Sequence, residues 1–527
     1  MKKITSLQAI FAVSLFLVIA NNLSFWHNVS EAYPLNFQNI GFLLSIFFVF
    51  ITLLVFLFHF TSTRYTLKPM LIVVLIASSL SSYFMLTYNV VIDDIMIQNI
   101  VETNVNEASD LFSYKVLLYF LFLGVLPSFI LYKSTIEHKP WKKELVSKVK
   151  VTTGAFTIVF ALMFAFSDFY ASFLRENKSL RFYSNLTYYI YSLGKYIGLN
   201  ASKGEVAAEQ LGLDAAINKE GDRKKVLILV VGETARADHF SLNGYAQETN
   251  PELKLKNVIN FSNIYSCGTS TAVSVPCMFS RLGRNDYNDA KAASTENVLD
   301  VLKHAGVKVL WQDNNSDSKG VALRVEYEDY KHIGNEEFCD NGECRDEAML
   351  IGLQDFIEKT ENNNILIVLH QMGNHGPAYY KRYPKEFEKF LPVCKTNQLQ
   401  ECTDEEINNA YDNALLYTDY FLAKTIDFLK SNSETMDTAM IYVSDHGESL
   451  GENGVYLHGL PYFIAPQVQK HVPAVMWFSE GFDINTIALR AKKDKEFSHD
   501  NLFDSLLGLF KVSTDAYEKE LDLFWAE

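Results

Sequence analysis

Two apolar runs beyond the first third of the chain each end in residues able to hold a cation. Leu227 to Val231 leads into Gly232-Glu233, and Met440 to Val443 leads into Ser444-Asp445-His446. Between them in sequence lies Cys267-Gly268-Thr269-Ser270-Thr271-Ala272, a small-residue segment rich in hydroxyls. Short apolar runs bounded by turn residues read as buried strands, and in open α/β sheets ligands bind beyond the carboxyl ends of the strands. Glu233, Asp445 and His446 would then meet at one edge of a sheet. Taken singly each has an ordinary use, as a helix-start charge, a cap or a core imidazole. Together with one hydroxyl they make a hard-to-borderline four-ligand set that suits zinc or manganese. A cation touching that hydroxyl would lower its pKa and give a nucleophile near neutral pH. Residue types leave Thr269, Ser270, Thr271 and Ser274 all open for that role.

The elements that must position these residues follow from periodicity. Strand-like runs at Val226 to Val231, Val307 to Trp311, Ile365 to His370, Met440 to Val443 and Ala474 to Phe478 alternate with helical stretches at Asn297 to His304, Glu347 to Lys359, Glu405 to Ser431 and Asp500 to Phe510. That alternation predicts an α/β domain with a mainly parallel sheet, starting near Lys224. Residues 200–223 are polar, with Gly204, Gly212 and Gly221, and read as a linker. Before them, Leu180, Tyr183, Leu186, Ile190, Leu193 and Ile197 recur at helical spacing among several tyrosines. This fits an interfacial helix or one packed on the soluble domain.

The first third of the 527 residues is of another kind. Apolar stretches near Leu7 to Leu23, Ile40 to Phe60, Met70 to Leu86, Val116 to Leu131 and Thr152 to Ala171 approach or reach the roughly 20 residues that span a bilayer core. Five spanning helices are expected. Lys2 and Lys3 precede the first run, but no small-residue cleavage pattern follows it, which argues against a removed signal peptide. Lys and Arg gather at Lys2 and Lys3, at Arg64 and Lys68, and from Lys133 to Lys150, whereas loops 27–39 and 87–113 contain neither. The amino terminus is therefore placed in the cytoplasm and everything after the fifth helix outside. Expected divisions are 1–175 for the membrane domain, 176–223 for the interfacial helix and linker, and 224–527 for the exported domain.

All six cysteines lie after the fifth helix, where an oxidising compartment preserves disulfides. Sequence proximity pairs Cys267 with Cys277, Cys339 with Cys344 and Cys394 with Cys402. Cysteine-type zinc sites are discounted because no Cys-x-x-Cys occurs. The net charge of −15 argues against nucleic acid, which calls for a basic surface.

Val231-Gly232-Glu233-Thr234, Cys267-Gly268-Thr269-Ser270-Thr271, His370-Gln371-Met372-Gly373-Asn374-His375-Gly376-Pro377 and Ser444 to Gly454 strongly resemble the lipid A phosphoethanolamine transferases, including the mobile colistin resistance enzymes. The resemblance extends over essentially the whole chain. It implies an alkaline-phosphatase/sulfatase-like α/β catalytic domain in the periplasm, anchored by five helices in a bacterial inner membrane. It implies phosphatidylethanolamine as donor and lipid A as acceptor among membrane lipids, a monomer, and consequent resistance to polymyxin and colistin. By the same resemblance Thr271 is the nucleophile, and Glu233, Thr271, Asp445 and His446 hold zinc. His375 and His458 then stand near the substrate phosphate, with a possible second zinc there. Tyr88, Asn99, Thr103, Glu107, Asn315 and Lys319 become headgroup contacts. The Lys319 charge can offset phosphate, and Asn99, Thr103 and Glu107, four apart, share one face if helical.

Other readings are a related membrane phosphotransferase acting on a core sugar or with glycerol phosphate, a sulfatase, and a binding protein without activity. Sulfatases need Cys-x-Pro-x-Arg, whereas Cys277-Met278-Phe279-Ser280-Arg281 lacks the proline. A silent binder has no need of a nucleophile beside a full ligand set.

Overall fold

The apolar runs of the first third form helices whose outward side chains stay apolar, as a lipid solvent requires. Leu44, Phe48, Val73, Phe122, Phe160 and Phe164 are all exposed. The structure, a computed structural model, describes residues 3–103, 105–201, 208–217, 223–331, 333, 337–340 and 343–525, without the side chains of 105–107, 178, 199–201 and 340. It divides into two compact units, Met1–Ile97 with Phe112–Lys195 and Gln98–Leu111 with Tyr196–Glu527.

In the first unit, α1 (Ser6–Ala20) and α2 (Leu23–Ala32) meet at a 57° bend. They are followed by α3 (Ile40–Thr61) and α4 (Leu67–Thr87), and, beyond the exported loop, by Tyr114–Lys133 and Trp141–Ala165. Among the described residues four of these helices are long and apolar enough to cross a membrane, and five spans result if the bent pair is one. Two expected limits move. The first run breaks at Asn21-Asn22, where the Asn22 amide donates to the Leu17 carbonyl at 2.9 Å. The last helix begins at Trp141 and stops at Ala165, with Phe166 outside helical geometry before Ser167–Arg175. Helix Tyr114–Lys133 carries a π-helical stretch at Phe120–Val125. A Cβ on its Gly124 would lie 2.6 Å from the Ser79 hydroxyl of α4, the close approach that small residues permit between membrane helices. The expected amphipathic helix over 180–197 is interrupted. A 3₁₀ turn, Lys178–Tyr183, precedes helix Thr187–Ala201, and Leu186 between them has φ 80°.

The second unit is built on an eight-stranded sheet. Its strands are β1 (Lys224–Gly232), β2 (Ile259–Tyr265), β3 (Lys308–Asp313), β4 (Glu326–Asp329), β5 (Asn364–His370), β6 (Met436–Ser444), β7 (His471–Phe478) and β8 (Phe497–Ser498), in the order β8-β2-β7-β6-β1-β5-β3-β4. Strands β6, β1, β5, β3 and β4 are parallel neighbours, whereas β7 runs antiparallel to both β6 and β2. The central strands are buried on both faces, as their unbroken apolar runs require. One face packs on Val298, Leu302, Phe503 and Leu506, and the other on Ile407, Leu415, Phe421 and Ile426 of the long helix Asp404–Asn432. Strands β2, β4 and β8 are short or mixed in polarity and escape a search for continuous apolar runs. All three expected disulfides are formed.

Candidate active site

Strands β1 and β6 are adjacent and parallel, with Ser444 opposite Gly232. Glu233 and Asp445 therefore leave the sheet side by side. A Cβ at Gly232 would lie 2.5 Å from the Tyr442 ring, so only glycine lets the strands approach this closely. Thr234 then takes φ 51°, turning the chain so that Glu233 projects over the strand ends. Asp445 Oδ1 accepts from the backbone N–H groups of Thr234 (3.2 Å) and His446 (2.7 Å). Its Oδ2 is buried without a hydrogen-bond partner, 3.3 Å from His446 Nε2. His446 Nδ1 donates to the Gly447 carbonyl at 2.9 Å, which leaves Nε2 with a free lone pair toward the same space.

Thr271 is the first residue of helix Thr271–Phe279. Its Oγ1 donates to Glu233 Oε2 at 3.1 Å and lies 3.3 Å from His446 Nε2. The other hydroxyls are directed elsewhere. Thr269 Oγ1 donates to the Leu460 carbonyl at 2.6 Å, Ser274 Oγ donates to the Asp445 carbonyl, and Ser270 Oγ is buried without a partner. The disulfide between Cys267 and Cys277 joins the loop before Thr271 to the last turn of its helix. The Gly459 N–H, donating to the Thr269 carbonyl at 2.7 Å, brings the neighbouring loop onto it.

Electrostatically the cluster calls for positive charge. Burial and then the neighbouring Asp445 push the Glu233 carboxyl up to about 8, and burial pushes Asp445 up to about 6. Burial and then His458 hold His446 well below its ordinary value. Glu233, His446 and His458 each offer a ligand atom, all within 4.8 Å of one another. Two buried carboxylates, an imidazole with an open Nε2 and an orphaned Asp445 oxygen fit a divalent cation. The geometry adds His458 to the residues able to reach it.

The His458 and His446 rings lie 4.3 Å apart, and His375 and His458 5.9 Å apart. Burial opposes a charge on His458, but Glu448, Glu233 and Asp445 outweigh it and raise the imidazole to about 9. His375, buried and facing Arg382, is held well below its usual value. Glu448, which lies 3.3 Å from His458 Nδ1, was not singled out from sequence. Its only signal was a place two residues after His446.

The expected headgroup contacts have different partners. Asn315 Nδ2 donates to Glu233 Oε2 at 2.8 Å and to the Gln371 carbonyl at 2.7 Å, so it orients the carboxylate. Lys319 Nζ donates to the Ser316 carbonyl and pairs with Glu102 at 3.3 Å, a partner that sequence reasoning missed. Asn99 lies in helix Asp94–Glu102, and Thr103 Oγ1 turns back to the Asn99 carbonyl at 2.6 Å. Tyr88 belongs to the first unit, fully buried against Tyr83 and Phe84. The Glu107 side chain lies outside the described residues.

Comparison with known proteins agrees with this architecture. The sulfatase family model matches residues 225–512, and the family model "Phosphoethanolamine transferase EptA/EptB" matches residues 48–201. The chain is 43% identical to the phosphatidylethanolamine transferase Mcr-1 of Escherichia coli over 98% of this chain and 96% of that one. It is 39% identical to the phosphoethanolamine transferase EptA of Escherichia coli K12 over 96% and 94%. The solved structure of the integral membrane lipooligosaccharide phosphoethanolamine transferase A of Neisseria meningitidis superposes with a TM-score of 0.95 at 35% identity, covering 99% of each chain. By identity and coverage along nearly its whole length, the chain belongs to the phosphoethanolamine transferase family.

Proposed function

We propose that this integral membrane enzyme transfers phosphoethanolamine from phosphatidylethanolamine to a phosphate of lipid A through a covalent adduct on Thr271. The observation that carries the reading is Thr271 Oγ1 at the start of a helix, within 3.1 Å of Glu233 Oε2 and 3.3 Å of His446 Nε2. Supporting the transfer of phosphoethanolamine to a lipid A-containing acceptor are the relatives: Mcr-1 is named a phosphatidylethanolamine transferase, and a 31% identical Escherichia coli protein that matches 54% of this chain is named a Kdo(2)-lipid A phosphoethanolamine 7''-transferase.

In the first step Thr271 Oγ1 forms a bond to the donor phosphorus, and the bond from phosphorus to the glyceride oxygen breaks. Diacylglycerol leaves after that oxygen takes a proton from the His458 imidazole, which its carboxylate neighbours keep charged, while the uncharged His375 faces the phosphate. The proton on Oγ1 departs along the hydrogen bond it already makes to Glu233 Oε2. In the second step the His458 imidazole takes the proton of a lipid A phosphate group whose oxygen attacks the same phosphorus, and the bond to Thr271 Oγ1 breaks as Oγ1 recovers its proton from Glu233, which regenerates the enzyme. Glu233, Thr271, Asp445 and His446 would hold zinc, which supplies charge compensation for the nucleophile and the phosphate oxygens. The N-terminus of helix Thr271–Phe279 adds partial positive charge on the same side. Asn315 keeps Glu233 aimed, and Lys319, four residues further along, is a cation for the donor phosphate or its leaving group. The catalytic unit works on the periplasmic side of the bacterial inner membrane. Adding an amine to an anionic lipid would weaken its attraction for cationic peptides such as polymyxin and colistin.

The test is mass spectrometry of lipid A from cells expressing the wild type and Thr271→Ala. A phosphoethanolamine adduct on lipid A in the wild type alone supports the reading. An adduct confined to core sugars would replace the acceptor, and wild-type modification by Thr271→Ala would overturn the covalent step.

A further inference from the structure

Arg382 occupies a place that neither the motifs nor the proposed chemistry explain. It is 5% exposed, and each of its three guanidinium nitrogens donates a hydrogen bond. Nε donates to the His375 carbonyl at 2.8 Å, Nη1 to Glu343 Oε2 at 2.7 Å, and Nη2 to Asp110 Oδ2. Asp110, itself 3% exposed, closes helix Val105–Leu111 and also receives Lys381 Nζ on Oδ1, while its carbonyl accepts from Asn397 Nδ2 at 2.6 Å. The segment Gln98–Leu111 thus belongs by its contacts to the catalytic unit. A second tie, Glu102 to Lys319 at 3.3 Å, joins it to the turn after Asn315.

The His375 ring has little else to aim it. Its Nδ1 is buried without a hydrogen-bond partner, and its backbone N–H makes only a 3.3 Å bond to the Met372 carbonyl. With only the neighbouring Gly376 backbone to steady the imidazole, its placement depends on the backbone beneath it. Arginine suits that task, because its planar fork fixes three acceptors in one plane, which lysine does not.

We propose that Asp110 and Arg382 are positioning residues that fix the His375 loop for phosphoryl transfer, so that the exported segment 98–111 completes the catalytic site. The proposal rests on the reading of His375 as a residue at the substrate phosphate. Asp110 orients Arg382, and Arg382 orients His375, without either touching the reacting atoms.

The experiment measures diacylglycerol release by the full-length protein in detergent micelles containing phosphatidylethanolamine, with kcat expressed per folded molecule. Arg382→Gln, Arg382→Lys and Asp110→Asn should each lower kcat, by about 10- to 100-fold for Arg382→Gln, with KM nearly unchanged. Asp110→Glu should recover part of the loss. The double variant Asp110→Asn/Arg382→Gln should fall no further than the worse single one, because both act through the same carbonyl. A purely structural tie would lower the melting temperature and leave kcat per folded molecule intact. Wild-type kcat in Arg382→Lys and Asp110→Asn, or fully additive losses, would overturn the tie while a slow His375→Ala keeps the reading of His375. Wild-type kcat in His375→Ala would overturn that reading and the tie with it.

Discussion

Thr271 and Glu233 lie 38 positions apart, yet their side chains meet in a 3.1 Å hydrogen bond at the ends of two different elements. The bond orients Oγ1 and points its proton at a carboxylate. Replacing Thr271 by alanine should cut transfer by at least about 10³-fold, as removal of a covalent nucleophile does. Thr271→Ser keeps the hydroxyl and should retain measurable turnover. Intact-mass measurement after exposure to phosphatidylethanolamine alone should find a phosphoethanolamine adduct on the wild type and none on Thr271→Ala. An adduct that survives in the alanine variant would move the nucleophile elsewhere.

Asn315 bonds the Glu233 oxygen that Thr271 also uses. Residues in this supporting position typically contribute about 10- to 100-fold in metal affinity or activity. Asn315→Ala should therefore release zinc more readily than wild type at a fixed chelator concentration, read as metal content by elemental mass spectrometry. Chelation should abolish transfer by the wild type, and added zinc should restore it. If Asn315→Ala keeps its metal and its kcat, the amide serves only the donor headgroup.

Cys267 and Cys277 enclose the loop that presents Thr271. For a loop this short the chain-entropy estimate is about 2 to 3 kcal/mol. Cys267→Ser/Cys277→Ser should lose roughly that much stability in denaturant titration. The same variant should also form the Thr271 adduct more slowly, since the loop would be held by hydrogen bonds alone, among them those of Thr269, Ser266, the Cys267 N–H and the Gly459 N–H. Unchanged adduct kinetics at reduced stability would separate the two roles.

The parts legible in the sequence share one property, that neighbouring residues carry the signal. Glu233, Asp445 and His446 stood at the ends of apolar runs long enough to read as buried strands, and the disulfides joined cysteines close along the chain. What stayed hidden depends on partners remote in sequence. Arg382 and Asp110 are separated by 272 positions, and nothing near either one announces the pairing. The break at Asn21-Asn22 lies inside an apolar composition that reads as one span, because the apolar residues before the two asparagines dominate the average, whereas the Asn22 amide competes for a helix carbonyl. The antiparallel course of β7 was equally silent, since an apolar strand carries no direction. Thr271 was selected over Thr269, Ser270 and Ser274 by resemblance alone; of the four hydroxyls, Thr269 and Ser274 donate to backbone carbonyls, Ser270 has no partner, and Thr271 meets Glu233.

Asp313 closes β3 and organises the turn that carries Asn315 and Lys319, accepting from the backbone N–H groups of Asn315 at 3.0 Å and Asp317 at 3.1 Å. Its other oxygen faces His370 Nδ1 at 2.8 Å and the Trp311 indole N–H at 2.9 Å. Burial alone would raise this carboxyl, but the imidazole charge and the hydrogen bonds outweigh it and bring it from 3.8 to about 2. A carboxylate depressed on folding contributes stability that is fully present above its unfolded value near 4 and is lost as pH falls toward 2. The contribution is about 2 kcal/mol. Acid unfolding of the full-length protein, followed by tryptophan fluorescence, should therefore show a stability loss between about pH 4 and pH 2 that is smaller in Asp313→Asn. Asp313→Asn should also be less stable than wild type at neutral pH, because an amide cannot accept hydrogen bonds at both of its ends as the two Asp313 oxygens do. An acid limb of the same depth in both proteins would assign that loss to other carboxylates and leave Asp313 as a neutral turn acceptor.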